Sequence, residues 1–290
     1  MFKHLFVVIL SLLIVVNSYS QSDSTKVNPY KLTLVLSSGV STLAGSYLYV
    51  QNSWWSDQSI AFHFDDGTDL RYAKNIDKGG HFLGGLIVAD LFHSNLKWAG
   101  VDEKKAYWYG AAMGSFVQLA IEMKDAYAPY WGFSIWDFSA GSVGALVPVA
   151  ERYWQPMQYI DFKFSYYKRS NHYWDLGREQ KPWAPPHKHA YFDDYINQTY
   201  WMTFCPFKQN NIDIGLSLGV GLDDSQYLQN TTKVGGKNEF YIALDYDLKQ
   251  VLKKWNTPTA KRIKHWLNYI KFPAPTIRIT PSLEFYPFFM

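Results

Sequence analysis

One cysteine in 290 residues leaves no internal disulfide to form, and that cysteine, Cys205, lies far from the N-terminus. A lipid anchor on an N-terminal cysteine is therefore not expected. Charge of one sign is also lacking: 28 Lys and Arg stand against 25 Asp and Glu, net +3, with no basic block or stripe. Nucleic-acid binding has no footing in such a balance. No H-E-x-x-H zinc spacing and no G-x-S-x-G nucleophile elbow occurs. The unbroken apolar run at 5–16, interrupted at Ser11, falls well short of the roughly 20 residues a membrane span needs.

That short run reads instead as the core of a signal peptide. Met1-Phe2-Lys3-His4 supplies the positive start and Asn17-Ser18-Tyr19-Ser20 the small-residue exit, with cleavage expected after Ser20. The chain is then exported, to the outer membrane or its periplasmic face in a Gram-negative-type envelope. Aromatic residues are abundant: 18% of the sequence, with 22 Tyr, 19 Phe and 12 Trp. Rings with polar tips suit a hydrocarbon–water interface.

Periodicity divides the remainder into an expected helical domain at 27–155 and a strand-rich domain at 157–290. Segments 32–50, 80–92, 106–123 and 135–149 read as helices rich in Gly, Ala and Ser, whose small residues let backbones approach closely. A four-helix bundle is the simplest product. From Ile160 the period becomes two, with alternation through Phe162, Phe164 and Tyr166, then Tyr200, Met202 and Phe204, then Leu216, Leu218 and Val220, then Phe240, Ile242 and Leu244, then Ile277, Ile279, Leu283 and Phe285. Five such runs predict antiparallel strands. Asp223-Asp224 and Gly235-Gly236 supply turns, and 169–189, with Pro182, Pro185, Pro186, His187 and His189, reads as a loop. The fold class is α+β, a small-residue-rich helical bundle followed by an antiparallel sheet or partial barrel. The aromatic end, Phe285-Tyr286-Pro287-Phe288-Phe289, resembles the last strand of outer-membrane barrels, although Pro287 and Met290 depart from that pattern.

Charged residues are sparse in the helices and gather at their ends. Asp77, Lys78 and His81 open the second helix, Gln118, Glu122 and Asp125 close the third, and Ser134 and Asp137 open the fourth. A short bundle would bring them together. Asp77 and Asp137 also suit a helix start electrostatically, so a structural network and a functional site are both open. Asp77-Lys78-Gly79-Gly80-His81-Phe82, Glu122-Met123-Lys124-Asp125 and Gly132-Phe133-Ser134-Ile135-Trp136-Asp137-Phe138, with Gly141 and Gly144, resemble the YfiM-like family of predicted periplasmic lipoproteins, here in a long Bacteroidota-type version. More distantly they are similar to the VanZ-like membrane proteins. The resemblance covers about 75–150 and implies no activity.

Three functions compete on this sequence. The first is a non-enzymatic outer-membrane component that organises lipid or envelope proteins, with outer-membrane lipid and other outer-membrane proteins as partners. The second is a hydrolase or transferase acting on a lipid or phosphate head group, with His81 and a carboxylate as acid and base. The third is a divalent-metal site built from His81, Asp77, Glu122 and Asp137, whose hard oxygen ligands and single imidazole could hold such an ion.

Overall fold

The computed structural model describes residues 26–53, 59–129, 131–175, 194–206, 214–225 and 236–290. The expected leader, His187, His189 and Gly235 lie outside them. Four long helices come first: α1 (Pro29–Ser53), α2 (Ile76–Trp98), α3 (Glu103–Asp125) and α4 (Ile135–Tyr153). They extend past the apolar stretches because polar first turns belong to the helices. Asp102 caps α3 by accepting from the Lys105 N–H at 3.1 Å, and Ser134 caps α4 by accepting from the Asp137 N–H at 3.1 Å.

The close-packed unit is three helices, α2, α3 and α4, rather than the expected four. Glycine sets the separation. A Cβ on Gly85 of α2 would come within 1.9 Å of the Gly141 carbonyl oxygen of α4, and one on Gly144 would come within 1.9 Å of the Phe82 carbonyl oxygen. On the other side, a Cβ on Gly110 of α3 would approach the Ala89 carbonyl oxygen to 2.5 Å. Backbone therefore meets backbone at each crossing. α1 joins more loosely, through Leu32 and Val35 against Leu96, Ala99 and Ala106. Among the described residues no helix is long and apolar enough to cross a membrane.

The second half is a six-stranded antiparallel meander in sequence order: β1 (Ile160–Tyr166), β2 (Gln198–Phe204), β3 (Ile214–Leu222), β4 (Asn238–Tyr246), β5 (Ala274–Thr280) and β6 (Glu284–Phe289). A further helix, α5 (Pro258–Leu267), sits between β4 and β5. The single run expected through Ile277 to Phe285 divides into β5 and β6. Pro281 has no N–H for a ladder, and Arg278 clasps the resulting turn by donating to the Ser282 carbonyl at 3.3 Å and its hydroxyl at 2.9 Å. Among the described residues the sheet does not close, but its ends converge. The β1 residue Phe164 exchanges backbone bonds with Tyr269 at 2.8 Å and Lys271 at 2.9 Å, and the Tyr167 and Phe289 rings lie 5.8 Å apart. β1 also packs on the bundle, where Phe162 and Phe164 join Leu83, Leu86 and Val147.

The burial of this sheet is inverted. Its polar face is inside: Thr203, Ser217 and Asp245 are fully buried, while their apolar neighbours Leu216, Leu218 and Leu244 are 50%, 49% and 43% exposed. The interior polar groups satisfy one another. Lys163 pairs with Asp245 at 3.0 Å and donates to the Tyr246 carbonyl at 2.7 Å. Asp245 also accepts from the hydroxyls of Thr203 at 2.6 Å and Ser217 at 3.1 Å. Such saturation is what makes buried charge tolerable. Outside, Met202, Phe204, Ile214, Phe240, Ile242, Ile277 and Phe285 extend the exposed apolar face across β2 to β6. A one-sided sheet in water normally buries its apolar face instead.

The glycine crossings yield a direct test. Gly85→Ala should destabilise the chain by about 1–3 kcal/mol, because backbone rather than a pliable side chain must yield. Gly45→Ala in α1, where nothing lies within 4 Å of an added Cβ, should be neutral or stabilising by up to about 1 kcal/mol. Denaturant midpoints of the two variants in detergent check the pair.

Candidate functional site

The helix ends gather the polar residues that the sequence placed there. Three successive non-glycine residues, Ala73, Lys74 and Asn75, have φ of 44°, 51° and 66° immediately before α2. This left-handed turn costs of order 1 kcal/mol or more per residue. It is held by the Asn75 side chain donating to the Leu70 carbonyl at 3.0 Å and by Asn238 of β4 donating to the Lys74 carbonyl at 3.1 Å. The turn directs the first residues of α2 at the ends of α3 and α4.

Lys78 is the hub of one part of the cluster. Its ammonium lies 2.6 Å from Asp69, 3.1 Å from Asp77 and 2.9 Å from Asp137. His81, one turn on, occupies the other part. Its Nδ1 donates to Gln118 Oε1 at 2.9 Å. Its Nδ1 and Nε2 lie 3.8 Å from Glu122 Oε1 and 3.8 Å from Asp137 Oδ2 respectively. Glu122 Oε2 accepts from the Ser134 N–H at 3.0 Å, and the Ser134 hydroxyl donates to Asp69 at 2.6 Å. Glu122 Oε1 and Asp77 Oδ1 are buried with no hydrogen-bond partner.

Three carboxyls, those of Asp69, Asp77 and Asp137, thus surround one ammonium, and Glu122 is buried beside His81. Burial, then the repulsion of Asp125 and Asp137, pushes Glu122 up to about 10. Burial and the nearby Asp137 raise Asp77 well above the carboxylate range, and burial raises Asp137. Burial would raise Asp69 as well, but the bonds from Lys78 and Ser134 outweigh it and lower the group. Burial opposes the Lys78 charge, and the carboxylates of Asp77 and Asp137 more than restore it.

Asp77, Lys78, His81, Gln118, Glu122, Ser134 and Asp137 therefore occupy one cluster. Asp125 is half-buried at the last turn of α3 and acts on Glu122 through its charge. Asp69 was not singled out in the sequence; the density of acidic residues in Asp65-Asp66-Gly67-Thr68-Asp69 ahead of α2 was the signal that could have found it. Opposite the cluster, α2 presents Gly79, Phe82 and Leu83 to an open apolar groove of about 450 Å³, completed by Tyr200, Met202, Leu218 and Phe240.

A second polar cluster, also unforeseen, lies farther along α2. Asp90 accepts from the His265 ring and from the Tyr269 hydroxyl at 2.7 Å, and His93 stands 3.9 Å away. Burial would raise Asp90, but these partners outweigh it and hold the carboxyl well below its usual range. A depressed carboxyl stabilises the fold above its unfolded pKa of about 3.9 and loses that contribution as pH falls. Asp90→Asn should cost about 1.5–3 kcal/mol at neutral pH. Between pH 5 and 3 the variant should lose stability less steeply than the parent chain. Parallel unfolding curves over that range would remove Asp90 from the account.

Comparison with known proteins bears on the helical half. Residues 63–151 match the model of family DUF2279, described as a predicted periplasmic lipoprotein. The match spans α2, α3 and α4 and ends before β1, so it holds the whole Lys78–His81 cluster and none of the sheet. No curated protein and no solved structure matches the chain.

Proposed function

We propose that this chain is an exported, non-enzymatic envelope component seated at the outer membrane, with the apolar face of its sheet against lipid hydrocarbon. The inverted sheet carries the reading. Strands with apolar residues outward and a satisfied polar interior are the pattern of membrane barrels, in which lipid covers the outer face. The uncovered apolar residues are contiguous through the register: Met202 faces Leu218, Leu218 faces Ile242, Ile242 faces Ile277 and Ile277 faces Phe285. Exposed patches larger than a few hundred Å² mark interaction surfaces in soluble proteins. The periplasmic description of the matched family and the signal-peptide pattern of the first 20 residues support export. The likeness to longer Bacteroidota-type versions belongs to this reading as well.

The polar cluster supports a non-catalytic role for the helical half. Asp77 and Glu122 are 3% and 1% exposed, and neither lines the apolar groove. A head group in that groove would not reach the Glu122 carboxyl. The protein then acts by holding lipid, or neighbouring outer-membrane proteins, at the membrane's periplasmic side.

Reconstitution tests this seat. The full chain, freed of detergent in the presence of phospholipid vesicles, should float with them through a density gradient. Leu218→Lys with Ile242→Lys should shift it toward the soluble fraction, since each lysine costs up to about 2–4 kcal/mol on a lipid face. The same changes on a water-facing surface would move stability by no more than about 0.5 kcal/mol. A chain recovered wholly as a soluble monomer without detergent, or as a soluble dimer that covers this face, would overturn the reading.

A further inference from the structure

We infer that His81, Glu122 and Asp137 form a binding site for one first-row divalent cation, of the Zn²⁺ or Mn²⁺ kind. This goes beyond the membrane seat and does not depend on it. One ligand comes from each helix of the close-packed unit, and the three groups can each place a ligand atom within 4.8 Å of the other two. Two atoms bound about 2.1 Å from one ion lie at most about 4.2 Å apart, so a small inward movement completes the set.

The supporting contacts leave Glu122 Oε1 without a partner and turn His81 Nε2 and Asp137 Oδ2 toward each other. His81 Nδ1 is engaged by Gln118 Oε1 at 2.9 Å, so Nε2 is the ring nitrogen available to ligate. Glu122 Oε2 accepts from the Ser134 N–H at 3.0 Å, while its Oε1 is buried and has no partner. Asp137 Oδ1 lies 2.9 Å from the Lys78 ammonium, while Oδ2 faces His81 Nε2 at 3.8 Å. Gln118 is itself locked, since a Cβ on Gly141 would strike its Cγ at 2.2 Å.

The neighbouring carboxylates supply a contrast. Asp69, Asp77 and Asp137 are also grouped closely enough to hold an ion, but there the Lys78 ammonium already sits within 3.1 Å of all three. In the His81–Glu122–Asp137 group that ammonium reaches Asp137 Oδ1 alone, and Glu122 Oε1 is left without a partner. A divalent ion would give Glu122 Oε1 the partner it lacks. One imidazole with two carboxylates suits Mn²⁺ or Zn²⁺ better than Mg²⁺, which favours oxygen ligands and retains its waters.

The experiment uses the full chain in detergent, without an affinity tag, stripped with EDTA and then titrated with Zn²⁺ or Mn²⁺ alone. Calorimetry should show about one equivalent bound to the His81 site, and thermal unfolding should rise with metal concentration. Glu122→Gln and His81→Gln should each weaken that binding at least 100-fold. Gln118→Met, which only frees the ring, should weaken it by about 10–100-fold. Unfolding in EDTA separates metal loss from misfolding: Glu122→Gln should melt near the parent chain there, yet gain nothing from metal. A parent chain that binds neither ion and melts alike with and without them overturns the site. Variants that bind as tightly as the parent, showing the ion to be held elsewhere, overturn it equally.

Discussion

The backbone of α2 at Phe82 and Gly85 lies directly against the backbone of α4 at Gly141 and Gly144, with no side chain between. An ordinary helix pair stands 8–10 Å apart, held off by side chains. Removing Cβ from both surfaces lets the axes close and determines where the helix ends fall. Gly110 does the same between α3 and α2. With the three axes this close, the short distance from Asp77 to His81 along α2 faces Glu122 of α3 and Asp137 of α4. The charged cluster is thus a consequence of the glycine crossings. A bundle spaced by leucine would have left the same carboxyls apart, each solvated at its own helix end.

Close approach creates an electrostatic problem that the chain answers in two different ways. Around Lys78, three carboxyls share one ammonium at distances of 2.6 to 3.1 Å, and that side of the cluster is compensated. Around His81, Glu122 carries an oxygen with neither cation nor donor, and burial pushes its carboxyl well above the usual carboxylate range. Burying a carboxyl in its neutral form costs less than burying the anion, yet an oxygen without a partner still forgoes about 1–3 kcal/mol. The left-handed turn at Ala73, Lys74 and Asn75 adds strain at the same place. Strain and unmet polar atoms are thus concentrated at one end of the bundle.

Much of this was legible in the sequence, for identifiable reasons. The helix ends at Asp77, Glu122 and Asp137 could be read because charge is so scarce between them that each carboxylate stands out. The strands could be read because alternation by two is a backbone property. Which face is buried could not: Leu216-Ser217-Leu218 alternates identically whether leucine or serine points inward. Nor could the Asp90–His265 pair, whose partners lie 175 residues apart and share no local spacing. Asp69 was missed because it sits in a turn, where helical periodicity gives no register. The helix expected at 32–50 is present as α1, but its place in the close-packed unit was over-assigned for a related reason. Small residues in α1 match those of α2 to α4 in composition, but Gly45 has nothing within 4 Å and Gly39 meets only the Phe92 and Met113 side chains, at 3.9 and 4.0 Å, so neither brings backbone against backbone.

The two halves are tied at the first turn of α2, which limits how independently either can vary. Asp77, Lys78 and His81 face the bundle, while Gly79, Phe82 and Leu83 line the groove against the sheet. A Cβ on Gly79 would meet the Tyr200 ring of β2 at 2.7 Å, so that ring rests on the same turn from the other side. β4 reaches the turn as well, through the Asn238 amide on the Lys74 carbonyl. Tyr72, Ala73 and Ile76 pack with Leu222 at the end of β3. The left-handed turn that aims Asp77 and His81 is therefore held from the sheet, not by the bundle alone. These contacts join β2, β3 and β4 to the turn that positions the carboxyl cluster. Matching residues 63–151 in isolation captures the cluster's ligands but not the support for its geometry, since Leu222, Asn238 and Tyr200 all lie beyond that range.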